Sequence, residues 1–347
     1  IDVNRVLITV ILALFLFPAF AQKTKATKTP EPDPLSPENL QRVLDEAYEK
    51  FKDVKEGKNA DYIKELATVD PNIFGIAIIT ADGKVYTIGD VGSMVSIQSV
   101  SKVFTMAKVI EEQGHQAVQD KIGVDATGMR FNSIIAVELQ KGKEINPLVN
   151  PGAIAATSLI AGKDSVAKWK NIIDIQSAFA GRSLTMNWPV YVSEAGDNLR
   201  NQAIAHLLLA YNRMYFDPVQ ATDIYTKQCA ISVNAKDLAI MAGTLANGGV
   251  NPVTKERVVD ATVCHYALAV MTTAGAISLE AGLGYLGIGV PPPAPSWGSM
   301  IGEGRESLDI APWLAFLPAG IMFVTVLSFN LVGDTLRALT DPRPGVL

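Results

Sequence analysis

Ser96-Ile97-Gln98-Ser99-Val100-Ser101-Lys102-Val103-Phe104 is the stretch on which the reading of this chain turns. Ser99 and Lys102 stand at i and i+3, so on a helix the hydroxyl and the amine are neighbours on one face. Val103, Phe104, Met106 and Ala107 make that helix a buried one, with Ser99 at its start. A lysine can serve as the base for such a hydroxyl if it is neutral, and desolvation is the usual means of achieving that. The spacing alone is weak evidence, because Ser165-Val166-Ala167-Lys168 repeats it.

Outward from that helix the chain is informative. Ser36-Pro37-Glu38 supplies a hydroxyl cap, a proline for the first helical position and an early acid, and Leu40, Val43, Leu44, Ala47 and Phe51 follow at helical spacing. Phe74–Thr80 and Val85–Ile88 are β-rich runs around Ala81-Asp82-Gly83-Lys84, a hairpin. From Ser99 to about Gly275 the pattern is mostly helical. The order of helix, hairpin and helical body gives an α+β class. Two strands make a marginal sheet, so partners are expected from beyond Gly275.

Composition excludes several functions. The 347 residues are 48% apolar, enough for a substantial core. Lys and Arg number 30 against 35 Asp and Glu, which provides no basic field for nucleic acid. Two cysteines, Cys229 and Cys264, read as core thiols, and three histidines without metal-ligand spacing give neither a metal site nor a Ser-His-Asp relay. No cofactor is implied; Gly282–Gly287 fits GxGxxG in spacing but precedes prolines rather than a helix.

The ends differ from the middle. Residues 1–21 combine Arg5, an uncharged run from Val6 to Phe20 and Ala19-Phe20-Ala21, the pattern of a secretory signal cut after Ala21; an uncleaved anchor is the alternative. Residues 22–37, with Pro30, Pro32 and Pro34, read as a solvated linker. Ile310–Gly333 is uncharged and long enough for a transmembrane helix, or for a buried one. A periplasmic or secreted location follows, with membrane attachment through the tail left open, as is a homo-oligomer.

The quoted stretch resembles the nucleophile motif of the serine-dependent bacterial glutaminases, enzymes of the β-lactamase/transpeptidase-like fold that hydrolyse L-glutamine to glutamate and ammonia. Arg130–Ile134, Asn146–Ile154, Ser193-Glu194 with Arg200-Asn201, Asp223-Ile224-Tyr225 with Cys229, and Ala246–Pro252 match further motifs of that family in order. The resemblance implies Ser99 as nucleophile, Lys102 as its base and Tyr225 as a phenol assisting proton transfer. It implies Asn150, Glu194 and Asn201 as substrate holders, Glu194 pairing with the free α-amino group. Tyr62 would close over the substrate, and Gln98 also falls on the substrate side. Bland alternatives stand beside these: Asn150 and Asn201 as turn and capping residues, Tyr62 as packing, Glu194 as a solvated charge. Ser165 becomes a surface decoy.

The glutaminase-like domain is read as 38–275. After it the family's Lys-Ser-Gly strand, which supplies oxyanion-hole backbone, is not recognisable. Residues 276–347 instead resemble the C-terminal end of dipeptide and oligopeptide ABC-transporter permeases, through Ile277–Ala281, Tyr285–Val290, Glu303-Gly304-Arg305 and Asn330–Asp334. A permease fragment and an inactive hybrid are therefore the alternatives to a working amidohydrolase.

Overall fold

The protein is described by a computed structural model, which covers residues 35–125, 131–140, 145–272 and 311–321. The leader, the linker up to Pro34 and most of the tail read as permease-like fall outside these residues, as do the strands expected beyond Gly275. Within 310–333, residues 313–321 are helical, and no described helix is long and apolar enough to cross a membrane. Residues 1–43 and 44–347 form separate contact units, and the site lies wholly in the second.

In chain order the elements are α1 (Pro37–Phe51), α2 (Lys64–Ala67), β1 (Gly75–Ile79), β2 (Val85–Gly89), β3 (Val95–Ser96), a 3-10 turn (Gln98–Val100) and α3 (Ser101–Gln113). Then come α4 (His115–Lys121), α5 (Ile134–Gln140), α6 (Asn150–Leu159), α7 (Ser165–Ala180), β4 (Thr185–Met186) and α8 (Trp188–Gly196). The described body closes with α9 (Leu199–Ala210), α10 (Pro218–Cys229), β5 (Ile231–Val233), α11 (Ala235–Ala246) and α12 (Ala261–Thr272).

Local chemistry sets these boundaries. The Ser36 hydroxyl accepts from the Asn39 amide at the start of α1, as the Ser-Pro-Glu signal requires. Asp164 caps α7, which stops at Gly181 in the left-handed region at φ 70°. Asp217 with Pro218 opens α10, and Asn234 with Asp237 forms a reciprocal capping box on α11.

The expected hairpin is present: β1 and β2 are antiparallel in the register Gly75↔Gly89 and Ile78↔Tyr86, and Gly83 turns at φ 93°. Among the described residues this is a two-stranded sheet, and a helix covers it rather than a further strand. α11 packs so closely on β1 that a Cβ at Gly243 would stand 2.4 Å from Ile79 Cγ2. A second sheet, antiparallel in the order β3-β5-β4, gives no sequence signal, because its strands of two or three residues are too short to show an alternation.

The core lies among α3, α6, α7 and α10. Phe104, Met106, Ile154, Ile172, Phe179 and Ile224 are buried there, with the Phe104 and Phe179 rings 4.9 Å apart. Cys229 and Cys264 are free buried thiols, as read. The Ala246–Pro252 motif is a fastening: the buried Asn251 amide donates to the Ala178 and Phe179 carbonyls, while its oxygen accepts from the Val253 and Thr254 amides.

Candidate active site

Strand β3 leads into the 3-10 turn with an unusual backbone. Gln98 has φ 48°, in the left-handed region that a non-glycine side chain rarely adopts, and strain of that kind needs surroundings that fix it. They are present. The buried Ser101 hydroxyl donates to the Gln98 carbonyl at 2.7 Å, and the buried Gln228 amide donates to Ser101 at 3.4 Å. The oxygen of that amide in turn accepts from the Thr105 and Thr157 hydroxyls. Three helices thus hold one carbonyl, and Ser99 is left exposed in the 3-10 turn that leads into α3.

Lys102, one turn on, is 2% exposed. Burial lowers its amine to about 8, against weaker upward pulls from Cys229 and Glu194. Its ammonium donates to Asn150 Oδ1 at 2.8 Å and to the Leu148 carbonyl at 3.4 Å. The i, i+3 spacing suggests a direct bond to Ser99, yet among the described residues the amine bonds these two oxygens instead. A charged ammonium seeks carbonyl acceptors, and the turn before α6 supplies them.

The link to Ser99 passes through Tyr225. Its phenol donates to Asn150 Oδ1 at 3.1 Å, and the Ser99 hydroxyl is the one neighbour that draws its pKa downward. Tyr225 is almost fully buried, and burial, the largest effect on it, raises its pKa well above the usual value. Phenol and amine therefore converge on one amide oxygen. Asn150 caps no helix with its side chain, so the alternative reading as a capping residue fails; its Nδ2 donates to Asn201 Oδ1 at 3.1 Å. Its backbone amide donates to the Phe131 carbonyl at 2.7 Å, and the Phe131 ring sits 5.8 Å from the Lys102 amine.

Glu194, from α8, faces the same space. Burial raises its carboxyl to about 7, while the Gln98 amide and Lys102 pull it down. Its Oε2 is buried without a hydrogen-bond partner. That is unlike a solvated charge, and an unpaired buried carboxylate oxygen is costly unless a donor arrives. Tyr62 is 67% exposed and senses the Glu194 charge; α2 packs on α8 and brings it there, so it is not a packing residue.

The candidate site residues therefore come from the segment before α2, the turn before α3, and α3, α6, α8, α9 and α10. Ser101, Gln228, Asn198 and Thr226 went unread. Ser101 lies inside the quoted stretch and Gln228 beside Cys229, but neither type is distinctive without the fold. In the second Ser-x-x-Lys, Ser165 is half-buried near the surface and only the lysine turns inward. Lys168 is 6% exposed and donates to the Ser158 and Ile160 carbonyls at the end of α6, with its amine 4.7 Å from the centre of the Phe216 ring. It is a buried helix cap. Among the described residues no group of three or more His, Cys, Asp or Glu side chains could hold a metal.

The Glutaminase family model matches residues 57–292. A glutaminase of Colwellia psychrerythraea is 50% identical over 236 residues, 68% of this chain and 76% of its own. One from Mycobacterium ulcerans is 40% identical over 307 residues, 88% of this chain and 92% of its own. Among solved structures, the probable glutaminase ybaS is 43% identical with a TM-score of 0.69, covering 72% of this chain and 82% of that one. A match over 88% of the chain runs well past residue 275 wherever it starts, so the glutaminase similarity extends beyond the boundary read from the motifs. None of these matches supports the permease resemblance of the tail. On the family model and relatives of this identity and coverage, the chain belongs to the glutaminase family, whose members are amidohydrolases.

Proposed function

We propose that the chain hydrolyses L-glutamine through a serine acyl-enzyme, with Ser99 as nucleophile. One observation carries this reading: a buried lysine with a lowered pKa and a buried tyrosine share one acceptor, Asn150 Oδ1, beside an exposed serine hydroxyl. The Ser99 proton passes through the Tyr225 oxygen toward the neutral Lys102 amine as Oγ bonds the γ-carboxamide carbon. The carbon–nitrogen bond then breaks, and that proton leaves on the ammonia. Water completes the second half, hydrolysing the ester to glutamate and restoring Ser99. Glu194 offers its unpaired oxygen to the α-ammonium, Asn150 and Asn201 offer amide groups to the substrate, and Tyr62 with Gln98 borders it. The Ser99 N–H lies in the first helical turn, where amides lack intrahelical acceptors, and acts as one oxyanion donor. The second donor expected of the family comes from its Lys-Ser-Gly strand, which is not recognisable in this sequence.

The test is ammonia release from L-glutamine by the full chain against Ser99→Ala. Release at least a hundredfold above the variant supports the reading, and equal rates refute it. Export on residues 1–21 belongs to the same proposal; N-terminal sequencing of protein from the periplasm or medium should begin at Gln22.

A further inference from the structure

The amides beside the amine have a direction, and its origin lies outside the groups assigned above. Thr226, fully buried in α10, donates its hydroxyl to the Thr222 carbonyl one turn back at 2.9 Å. Its proton is thereby committed, and the Thr226 oxygen can only accept from its next neighbour, Asn198 Nδ2, at 2.6 Å. That turns Asn198 Oδ1 toward Asn201, which donates to it at 2.8 Å. Asn201 Oδ1 must then accept from Asn150 Nδ2, at 3.1 Å. Asn150 is left presenting oxygen, not nitrogen, to Lys102 and Tyr225.

We infer that Asn198 and Thr226 are positioning residues that fix the polarity of this amide chain and so keep an acceptor against the amine of Lys102. The inference rests on the proposed roles of Lys102 and Ser99. A reversed chain would place the Asn150 NH2 against the ammonium, which removes an acceptor from the charged form and favours the neutral one. The titratable groups facing Lys102 are Tyr225 and Cys229 on α10 and Glu194 on α8; α6 contributes Asn150, which does not titrate. None of those charges changes when the hydroxyl of Thr226 is removed.

Thr226→Val keeps the shape and deletes the acceptor. Asn198→Ala is the companion, since Asn198 borders a cavity of about 330 Å³ that admits water, and water can donate or accept. The readout is the pH profile of kcat/KM for glutamine with the full chain. The expected result is an acidic limb about one pH unit lower than in the unsubstituted chain, consistent with loss of one bond to a charged group, and a fall in kcat of tenfold or more. Thr226→Ser should restore both. A merely structural role would lower the active fraction without moving the limb, and an unmoved limb in Asn198→Ala overturns the inference even if Thr226→Val does not fold. If the unsubstituted chain itself releases no ammonia, the proposed function has failed instead.

Discussion

Glu194→Gln gives the sharpest separation of binding from chemistry. The carboxylate oxygen Oε2 is buried and unpaired, and burial holds the group near neutrality at about 7, so it is ready to be ionised by an arriving ammonium. Replacing it exchanges a charge-assisted hydrogen bond for a neutral one. Bonds to charged groups contribute about 1.5–3 kcal/mol, which converts to a loss of roughly 10- to 150-fold in kcat/KM. The loss should fall on KM, because the α-amino group takes no part in bond breaking. A second effect follows from the same charge, which pulls the Lys102 amine upward. Removing it lets that amine drop below about 8, so the acidic limb of kcat moves to lower pH. The assay is ammonia release from glutamine and from 4-carbamoylbutanoate, which lacks the amino group, by both proteins. The unsubstituted chain should prefer glutamine strongly and Glu194→Gln should not. If the substitution slows both substrates equally, Glu194 does not pair with the α-ammonium and the reasoning is refuted.

Lys102→Met should lower kcat/KM by about 10²- to 10⁴-fold, as removal of a general base does, while Tm at pH 7 holds or rises because a buried ammonium has gone. The KM of the unsubstituted chain should climb as pH falls through about 7: Glu194 loses its charge there, and the α-ammonium its partner. Gly152→Ala places a Cβ 2.0 Å from the Asn146 carbonyl and must push the turn that carries Leu148 and Asn150. About 1–3 kcal/mol of stability should be lost in thermal unfolding, together with activity. Asn234→Ala breaks the capping box of α11, which should cost about 1 kcal/mol and lower Tm by a few degrees with kcat/KM unchanged.

What was legible in the sequence was what local chemistry determines. A hydroxyl and a proline open α1 and an Asp-Gly pair turns the hairpin; each signal acts within four residues. The strands of the second sheet were not legible because two residues carry no period. Lys168 shows a different limit. Its spacing from Ser165 equals that of Lys102 from Ser99, and only tertiary packing decides that it turns inward onto the end of α6. The site residues came from the family resemblance, whose ordered motifs sit in separate helices that the fold brings to one place. Their interdependence was unreadable, since Asn and Thr at 198 and 226 are ordinary capping and helix residues until Thr222 and Asn201 are seen on either side. The glutaminase similarity also reaches past residue 275, where individual motifs give out before the overall likeness does.

The central claim is that Ser99 carries the acyl group. Mass spectrometry of the chain quenched with acid during turnover of glutamine, followed by peptide mapping, tests it most directly. The account predicts a glutamyl ester on the peptide containing Ser99, lost in Ser99→Ala together with turnover. Sustained ammonia release with that peptide unmodified, or with the Ser99→Ala chain still turning over, would contradict it.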